Sequence, residues 1–358
     1  LVVYVPEKWK HLIPYNRGSR SQTFVEFIDL APTALALAGV TLPTGMDGTP
    51  VMGKIVQKSE IQNKNTAFGH ADRFDEKYDL VRTLRVGKYK YARNYQPFNI
   101  DALFNFYRYK MIAYKEWLSL YREGKLNDVQ SQFFEPKSPE ALYNIEDDPH
   151  EINDLSNSEN HQEILLQMRG QLHERIKEMP DLSFYPEPYL LDNAIVNPTT
   201  FGQNNKTAIA ELIAIADLNL APYDFVEGKI KLALKDKNPW KRYWGLIVCS
   251  SFGMQAKGLV PQIQKILQKD EVNLVRIRAV EFLMLNKISF DKNILKILLE
   301  NTSSETEANL ILNTISLIKG YQPEIKFNFS KKIFPCEWHD EPNDLVNRRL
   351  EYLSLIHI

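Results

Sequence analysis

Alternating polar and apolar positions in the middle of the chain predict a β-hairpin. The first strand is predicted over Asp79–Val86, a turn at Gly87, and the second strand over Lys88–Asn94. In the second strand Tyr89 and Tyr91 fall on one side, and the neighbouring lysines fall on the other. This period of two is typical of a half-buried antiparallel pair. The hairpin therefore gives the residues beside it a rigid support.

A dense group of polar residues directly precedes the hairpin. Because strands fix what an adjoining loop presents, this group is a candidate ligand-binding surface. The alternative is a surface ion-pair cluster of Arg73, Asp75 and Glu76 that only fixes the loop. The candidate substrate-binding residues are His70, Arg73, Asp75 and Glu76.

Residues 1–55 carry the pattern of a layered α/β region. The apolar runs Leu1–Val5 and Thr23–Ile28 predict two buried strands, as at the centre of a sheet covered on both faces. Asp29 is predicted to cap a short helix that ends at Gly39. This region is therefore interpreted as the closing part of an α/β domain.

Residues 56–185 contain the hairpin and further predicted elements. Apolar spacing predicts a helix over Met111–Tyr121 and an amphipathic helix over His161–Met179. A short strand is predicted over Ala141–Ile145. These elements define a second domain.

The composition changes near Pro186, where prolines occur among Asn and Thr. Residues 186–204 are therefore interpreted as a linker, and residues 205–321 as a helical domain. Residues 322–358 follow no period and receive no assignment.

Two of the helical segments match each other in sequence. Asp236 leads to Arg242 in the first copy, and Asp270 leads to Arg276 at the same spacing in the second. A third copy over Ser304–Leu317 keeps the apolar spacing without the arginine. This period predicts a HEAT-type α-solenoid in which the aspartate caps the second helix. The aromatic residues of the first copy are assigned to packing between repeats rather than to a carbohydrate surface: Trp240, Tyr243 and Trp244.

The net charge and the lengths of the apolar runs argue against two classes of function, nucleic-acid binding and membrane insertion. The net charge is −1, so the basic excess typical of nucleic-acid binding is missing. No apolar run is long enough for a membrane span.

Cys249 and Cys336 have no metal-ligand spacing and predict no disulfide framework. A length of 358 residues predicts two or three domains.

Both ends of the sequence are unusual. The chain opens at Leu1 inside an apolar run, with no initiator methionine and no signal peptide. It closes on the apolar stub Leu353–Ile358, which has no polar tail. We interpret both ends as truncations, and the origin of the last six residues stays open between native sequence and adapter read-through.

Five segments within residues 1–155 form a recognisable series. They are Leu1–Pro6, Phe27–Thr33 with Leu37–Gly39, Met46–Gly48, Asp72–Glu76 with Tyr91–Tyr95, and Ala141–Glu151. Together, and in this order, they resemble the C-terminal half of a type I sulfatase of the alkaline-phosphatase superfamily. The subgroup that they resemble most in sequence character is the heparan N-sulfatase-like bacterial enzymes, some of which carry helical repeats behind the catalytic part.

The resemblance implies a partial alkaline-phosphatase-like α/β sandwich, followed by an α+β subdomain with an antiparallel sheet. It implies hydrolysis of sulfate esters or sulfamates of carbohydrates by a formylglycine nucleophile. A calcium ion beside the nucleophile neutralises the sulfate. The resemblance also implies export to the periplasm or the exterior. It places the four candidate residues on the sugar side of the substrate pocket.

The sequence departs from the sulfatase pattern at the nucleophile. Neither Cys249, Cys336 nor any serine stands in a Cys/Ser-x-Pro/Ala-x-Arg motif. The family's Asp-Asp pair and its Asp-Asn/His-Gly metal segment are also missing. We therefore assign no catalytic residue and no metal ligand, and expect the nucleophile and the Ca²⁺ site in a preceding part of a full-length parent. The chain alone is predicted to be inactive.

Two other functions stay open. One is another hydrolase of the same superfamily, such as a phosphodiesterase, which would use Thr or Ser without the sulfatase motif. The other is a non-enzymatic scaffold, in which the helical repeats bind a protein partner.

Overall fold

The computed structural model describes residues 1–341 and 344–354. The chain is a mixed fold with one open four-stranded antiparallel sheet and many helices. The strands are β1 Thr66–Phe74, β2 Lys77–Val86, β3 Tyr89–Asn94 and β4 Glu140–Asn144. The helices up to residue 204 are α1 Leu30–Ala38, α2 Lys58–Gln62, α3 Phe106–Lys110, α4 Ile112–Arg122, α5 Asp128–Ser131, α6 Gln162–Glu178, α7 Glu187–Asn193 and α8 Pro198–Asn204. The later helices are α9 Lys206–Ala216, α10 Tyr223–Ala233, α11 Pro239–Phe252, α12 Val260–Lys269, α13 Asn273–Leu285, α14 Asn293–Glu300, α15 Glu305–Tyr321 and α16 Leu345–Ser354.

The chain divides into two compact units. The first contains Leu1–His70, Arg82–Ala92 and Leu142–Arg169, and the second contains the remainder. The predicted boundaries near residues 55, 185 and 321 describe changes in sequence character and stay predictions. Of the last six residues, whose origin was left open, 355–358 lie outside the described part of the chain.

The central hairpin is confirmed, and it is larger than predicted. The sheet has the order β1-β2-β3-β4, with β2 and β3 joined at Gly87, whose φ is 53°. The polar group before the hairpin was expected in a loop, and this was wrong. Most of it lies on β1, and a tight turn at Asp75 and Glu76 joins β1 to β2. Polar residues such as His70, Asp72 and Arg73 do not prevent a strand when its neighbour supplies the backbone hydrogen bonds.

The two apolar runs of the first unit form no strands, contrary to prediction. Leu1–Val5 has no regular secondary structure, and the side chain of Val2 is 98% exposed. Thr23–Ile28 is irregular and passes into a short 3₁₀-helix. A strand needs a hydrogen-bonded neighbour, and no strand pairs with either run within the described residues.

Asp29 has a different role from the predicted helix cap. Its buried carboxylate accepts hydrogen bonds from the backbone N–H groups of Glu26 and Thr49, at 2.8 and 2.9 Å, and forms an ion pair with Lys64. Burial opposes its ionisation, but these partners lower the pKa of Asp29. Gly48 lies against the same turn, and a Cβ there would stand 1.9 Å from the carbonyl oxygen of Ile28. The Met-Asp-Gly segment therefore needs its glycine for close backbone packing.

The helical part of the second unit is built from alternating helices. Helices α9, α11, α13 and α15 pack in succession, and α10, α12 and α14 each pack on one or two of them. The predicted linker is also helical, because α7 and α8 occupy most of residues 186–204. The predicted helix over Met111–Tyr121 and the strand over Ala141–Ile145 are confirmed as α4 and β4, and the long amphipathic helix as α6.

The repeated aspartates do not cap helices as predicted. Asn238 is the N-cap of α11, and Asp236 accepts the backbone N–H of Asn238 at 2.8 Å. Instead, Arg242 of the first copy binds Asp270 of the second through two nitrogens at 2.6 and 2.9 Å, whereas the equivalent Arg276 donates to the Leu267 carbonyl. Gly245 lets the helices approach, since a Cβ there lies 3.1 Å from Leu234. The aromatic residues of α11 are buried, as predicted: Trp240, Tyr243 and Trp244.

Candidate functional site

The turn between β1 and β2 presents the predicted site residues of the second unit. Asp75 has a φ of 50°, a left-handed conformation that Asp tolerates better than most residues. Its side chain is 31% exposed, whereas that of Glu76 is fully buried. We call Arg73, Asp75 and Glu76 the hairpin tip.

The Glu76 carboxylate is enclosed by protein donors. One oxygen accepts the backbone N–H of Phe106, and the other lies 3.5 Å from the Arg348 guanidinium. The Glu76 carbonyl accepts a hydrogen bond from Arg349 at 2.6 Å. Removing a charge from such a buried group would leave guanidinium charge uncompensated.

Arg349 connects the hairpin tip to the helices α9–α16 of the second unit, which we call the helical layer. Its guanidinium donates to the Asn313 side-chain oxygen at 2.7 Å, and the same oxygen accepts the backbone N–H of Tyr78 at 3.0 Å. Complete burial lowers the pKa of Arg349 to about 10, although Glu76 acts in the opposite direction. Arg349 is therefore still charged at neutral pH, and the turn is held by α15 and α16.

Arg73 is the exposed cation of the hairpin tip. Its side chain is 36% exposed, its Nε lies 3.1 Å from the Glu187 carboxylate, and its guanidinium lies 5.9 Å from the centre of the Tyr78 ring. The Tyr78 hydroxyl donates to the same Glu187 carboxylate at 2.7 Å. Burial first, and Glu187 second, raise the pKa of Tyr78, so the phenol stays protonated. These contacts orient Arg73 while part of its guanidinium faces solvent.

The four predicted site residues therefore occupy different environments. Arg73 and Asp75 are brought together at the turn, where Arg73 also donates to the Asp75 carbonyl at 3.2 Å. Glu76 lies beneath them in the protein interior. His70 lies on β1 in the first unit and is exposed.

The hairpin tip can bind an anion but does not fit a metal. A guanidinium oriented by a carboxylate offers directed donors to a sulfate or phosphate oxygen. Calcium prefers six or more oxygen ligands converging on one point. No group of three or more His, Cys, Asp or Glu side chains in the described part of the chain could hold a metal ion. The described residues therefore do not fit the calcium site that the family resemblance implies.

A second polar cluster was missed by sequence reasoning. The buried Arg93 guanidinium lies 3.0 Å from Asp217 and donates to Asn219 at 2.6 Å, and the Nδ1 of His173 lies 3.0 Å from the other Asp217 oxygen. Burial opposes ionisation of Asp217, but the hydrogen bond to His173 and the charge of Arg93 lower its pKa. Arg93 stands in the Tyr91–Tyr95 segment that resembles the sulfatases, and this resemblance was the signal that could have identified it. No local signal marked His173, because its partner Asp217 is distant in sequence.

The cysteines do not form a nucleophilic site. Cys249 is completely buried in α11, and this burial raises the pKa of its thiol, so the reactive thiolate is disfavoured. Cys336 is exposed and free.

Comparison with known proteins supports a relationship to the sulfatases. No protein-family model matches the chain. Over 171 residues the chain is 33% identical to the Ulvan-active sulfatase of Formosa agariphila. The match covers 47% of this chain and 28% of that relative, so the chain spans less than a third of the relative's length. The resemblance to sulfatases is confirmed at this level, and the N-sulfatase-like subgroup and the HEAT type stay predictions.

None of the helices in the described residues has the length and apolar character of a membrane span.

Proposed function

We propose that this chain is part of a sulfatase that hydrolyses sulfate esters or sulfamates of sulfated carbohydrates. The observation that carries the proposal is the 33% identity to the Ulvan-active sulfatase over 171 residues. Five sequence segments in sulfatase order add independent support. A phosphodiesterase of the same superfamily is the competing assignment, because a guanidinium binds phosphate as well as sulfate.

In this proposal the hairpin tip contacts the substrate. Arg73 and Asp75 bind the sulfated sugar directly, and His70 contributes from β1. Glu76 acts as a positioning residue, because its buried carboxylate holds the turn through Phe106 and Arg348. The partial exposure of Arg73 and its fixed orientation support this division of roles.

The nucleophile and the calcium ligands are proposed to come from residues outside these 358. Two observations support this: the sulfatase nucleophile motif is missing from the sequence, and the described residues lack a metal cluster. Calcium would supply charge neutralisation at the sulfate. The chain by itself is then inactive. The complete protein is exported to the periplasm or the exterior, where sulfated polysaccharides occur.

The proposal is tested on the complete protein that contains this chain, produced with a formylglycine-generating enzyme. We expect sulfate release from ulvan or p-nitrophenyl sulfate, and no turnover of bis(p-nitrophenyl) phosphate. Preferential cleavage of the phosphodiester would establish the competing assignment. Sulfate release by the 358-residue chain alone would contradict the external nucleophile.

The hairpin tip is tested in the same protein with Arg73→Ala. We expect kcat/KM for the sulfated polysaccharide to fall about tenfold or more, since a charge-assisted contact is lost. Arg122→Ala, which removes an exposed arginine from α4, is the matched control. Equal activity of the two variants would exclude Arg73 from substrate binding.

The helical layer is assigned a supporting role, with a protein partner as the remaining possibility. Deleting it would not separate these roles, because Asn313 and Arg349 hold the backbone of the hairpin tip. Surface substitutions on α10 and α12, followed by co-purification, test the partner without disturbing the turn.

A further inference from the structure

A pocket of about 540 Å³ lies in the second unit, beside the N-terminal half of α14. Its other wall is the segment that follows α15, over residues 326–333. A volume of this size falls within the usual range for small-ligand sites, about 300–1,000 Å³. Four lysines and two phenylalanines characterise it: Lys292, Lys296, Lys326, Lys332, Phe327 and Phe329. We call this site the lysine pocket.

The charge of the lysine pocket is unbalanced. Among the described residues that line it there is no Asp or Glu. Lys296 lies 3.5 Å from Glu300, one turn further along α14, and both side chains are well exposed. Within the described part of the chain no carboxylate forms an ion pair with Lys292, Lys326 or Lys332. Four ammonium groups around one concavity create a positive potential that attracts a multivalent anion.

The pocket also has an apolar platform. The rings of Phe327 and Phe329 are nearly parallel, with an angle of 17° between their planes and 6.1 Å between their centres. Phe327 is 7% exposed, and Phe329 is half-buried and is therefore the more accessible of the two rings. An aromatic face without a hydrogen-bonding group suits the C–H face of a sugar ring. Asn328 and Ser330 on the same wall offer hydrogen bonds to hydroxyl groups.

We propose that the lysine pocket binds a sulfated segment of a polysaccharide and holds it without cleaving it. Ammonium groups recognise sulfate and phosphate oxygens alike, and the choice of sulfate rests on the proposed function. The aromatic rings favour a sugar ring over an extended phosphodiester backbone, which is bound along a basic groove that follows the strand. The pocket would keep the protein on its polymeric substrate between hydrolytic events, so that successive sulfates are reached without dissociation.

The test measures binding to the 358-residue chain, which needs no catalytic activity. The probes are dextran sulfate, unmodified dextran of the same length, and polyphosphate, in isothermal titration at several salt concentrations. We expect binding of dextran sulfate, weaker binding of polyphosphate, and none of dextran. Binding of dextran with equal affinity, binding of none of the probes, or a preference for polyphosphate would each overturn the proposal.

Matched variants locate the binding site. Lys326→Ala with Lys332→Ala should weaken dextran sulfate binding by about 10- to 30-fold and reduce its salt dependence, since two charges facing the polyanion are lost. Lys229→Ala with Lys265→Ala removes two exposed lysines of α10 and α12 and should leave the affinity unchanged. Phe329→Ala should weaken binding of dextran sulfate more than binding of polyphosphate. Equal losses in the two lysine pairs would show unspecific charge attraction and overturn the proposal.

The outcome is separable from that of the proposed function. If the complete protein releases sulfate but the pocket variants bind dextran sulfate normally, only the pocket assignment fails. If the pocket binds dextran sulfate but the complete protein cleaves only phosphodiesters, only the proposed function fails.

Discussion

The hairpin tip and the lysine pocket both carry cationic side chains, but their charges are balanced in different ways. At the hairpin tip each guanidinium has an acidic neighbour, as Arg73 has Glu187 and Arg348 has Glu76. In the lysine pocket only Lys296 has a carboxylate within ion-pair distance among the described residues, and that carboxylate is exposed. At the hairpin tip these ion pairs fix the turn and orient the partly exposed Arg73, whereas the lysine pocket offers a ligand several ammonium groups that no carboxylate in the described part of the chain balances.

Burial explains why the two regions differ. A charge removed from water must be compensated by a partner within the protein. Glu76 is completely buried, so its neighbours are necessarily cations and N–H donors. The pocket lysines are exposed and hydrated, so they need no internal partner. Four predictions examine this contrast, beginning with the largest effect.

Glu76→Gln should lower the free energy of unfolding by about 3–5 kcal/mol, because it removes the buried carboxylate beside Arg348 and leaves that guanidinium the more distant, partly exposed carboxylate of Asp75. Urea unfolding followed by circular dichroism measures the change. Asp75→Asn is the comparison, because its partly exposed carboxylate lies 4.0 Å from the same Arg348, and it should cost about 1 kcal/mol or less. A wild-type midpoint for Glu76→Gln would show that the buried pair contributes nothing.

Asp217→Asn should cost about 1.5–3 kcal/mol at neutral pH, since hydrogen bonds to a charged group are lost. The pKa of Asp217 is lowered in the folded state from 3.8. Its stabilising contribution is therefore present above that value and is lost as the pH falls through the lower folded pKa. The difference in unfolding free energy between wild type and variant should shrink below about pH 4.

The control for this profile is Asp192→Asn, the same charge change at an exposed position of α7. A constant difference between wild type and Asp217→Asn from pH 2 to pH 7 would contradict the coupling of Asp217 to Arg93 and His173.

Asp270→Asn should destabilise the helical layer by about 1–2 kcal/mol, because the two-point ion pair with Arg242 is partly buried. The asparagine can still accept the backbone N–H of Val272, so the local turn is retained. Asp236→Asn is the matched control, since its ion pair with Lys241 is longer, at 3.5 Å, and more exposed. Thermal unfolding should rank Asp270→Asn below Asp236→Asn, and the reverse order would refute the inter-repeat contact.

Glu300→Gln should change the unfolding free energy by less than about 0.5 kcal/mol, as is usual for exposed pairs one turn apart. It removes the carboxylate that pairs with Lys296 without altering the lining of the pocket. Dextran sulfate binding should therefore be retained or slightly strengthened. Loss of binding in this variant would show that the charge of the pocket is not what holds the anion.

The spacing of apolar and polar residues correctly predicted those elements whose contacts form between residues close in sequence. The hairpin around Gly87, helix α4 and strand β4 were all predicted, because alternation and helical spacing act over a few residues. The buried position of Trp244 followed from the same logic. The apolar run at Leu1–Val5 was misleading, because a run of hydrophobic residues does not supply the hydrogen-bonding neighbour that a strand requires.

The candidate sites show the limit of this approach. Arg73 and Asp75 were identified from local composition, but the burial of Glu76 depends on Arg348 and Arg349, far along the chain. Residues 322–358 had no assignment, although this segment supplies both those arginines and one wall of the lysine pocket. His173 and Asp217 meet only because α6 packs near the end of α9.

The sequence by itself determined the hairpin, the helical character of the later half and the relationship to sulfatases, since these depend on spacing and motif order. Only the tertiary structure decided which charges are neutralised within the protein and which face solvent. The physical reason is that desolvation depends on everything that surrounds a charged group. Its neighbours come from distant parts of the chain, and local sequence carries no record of them.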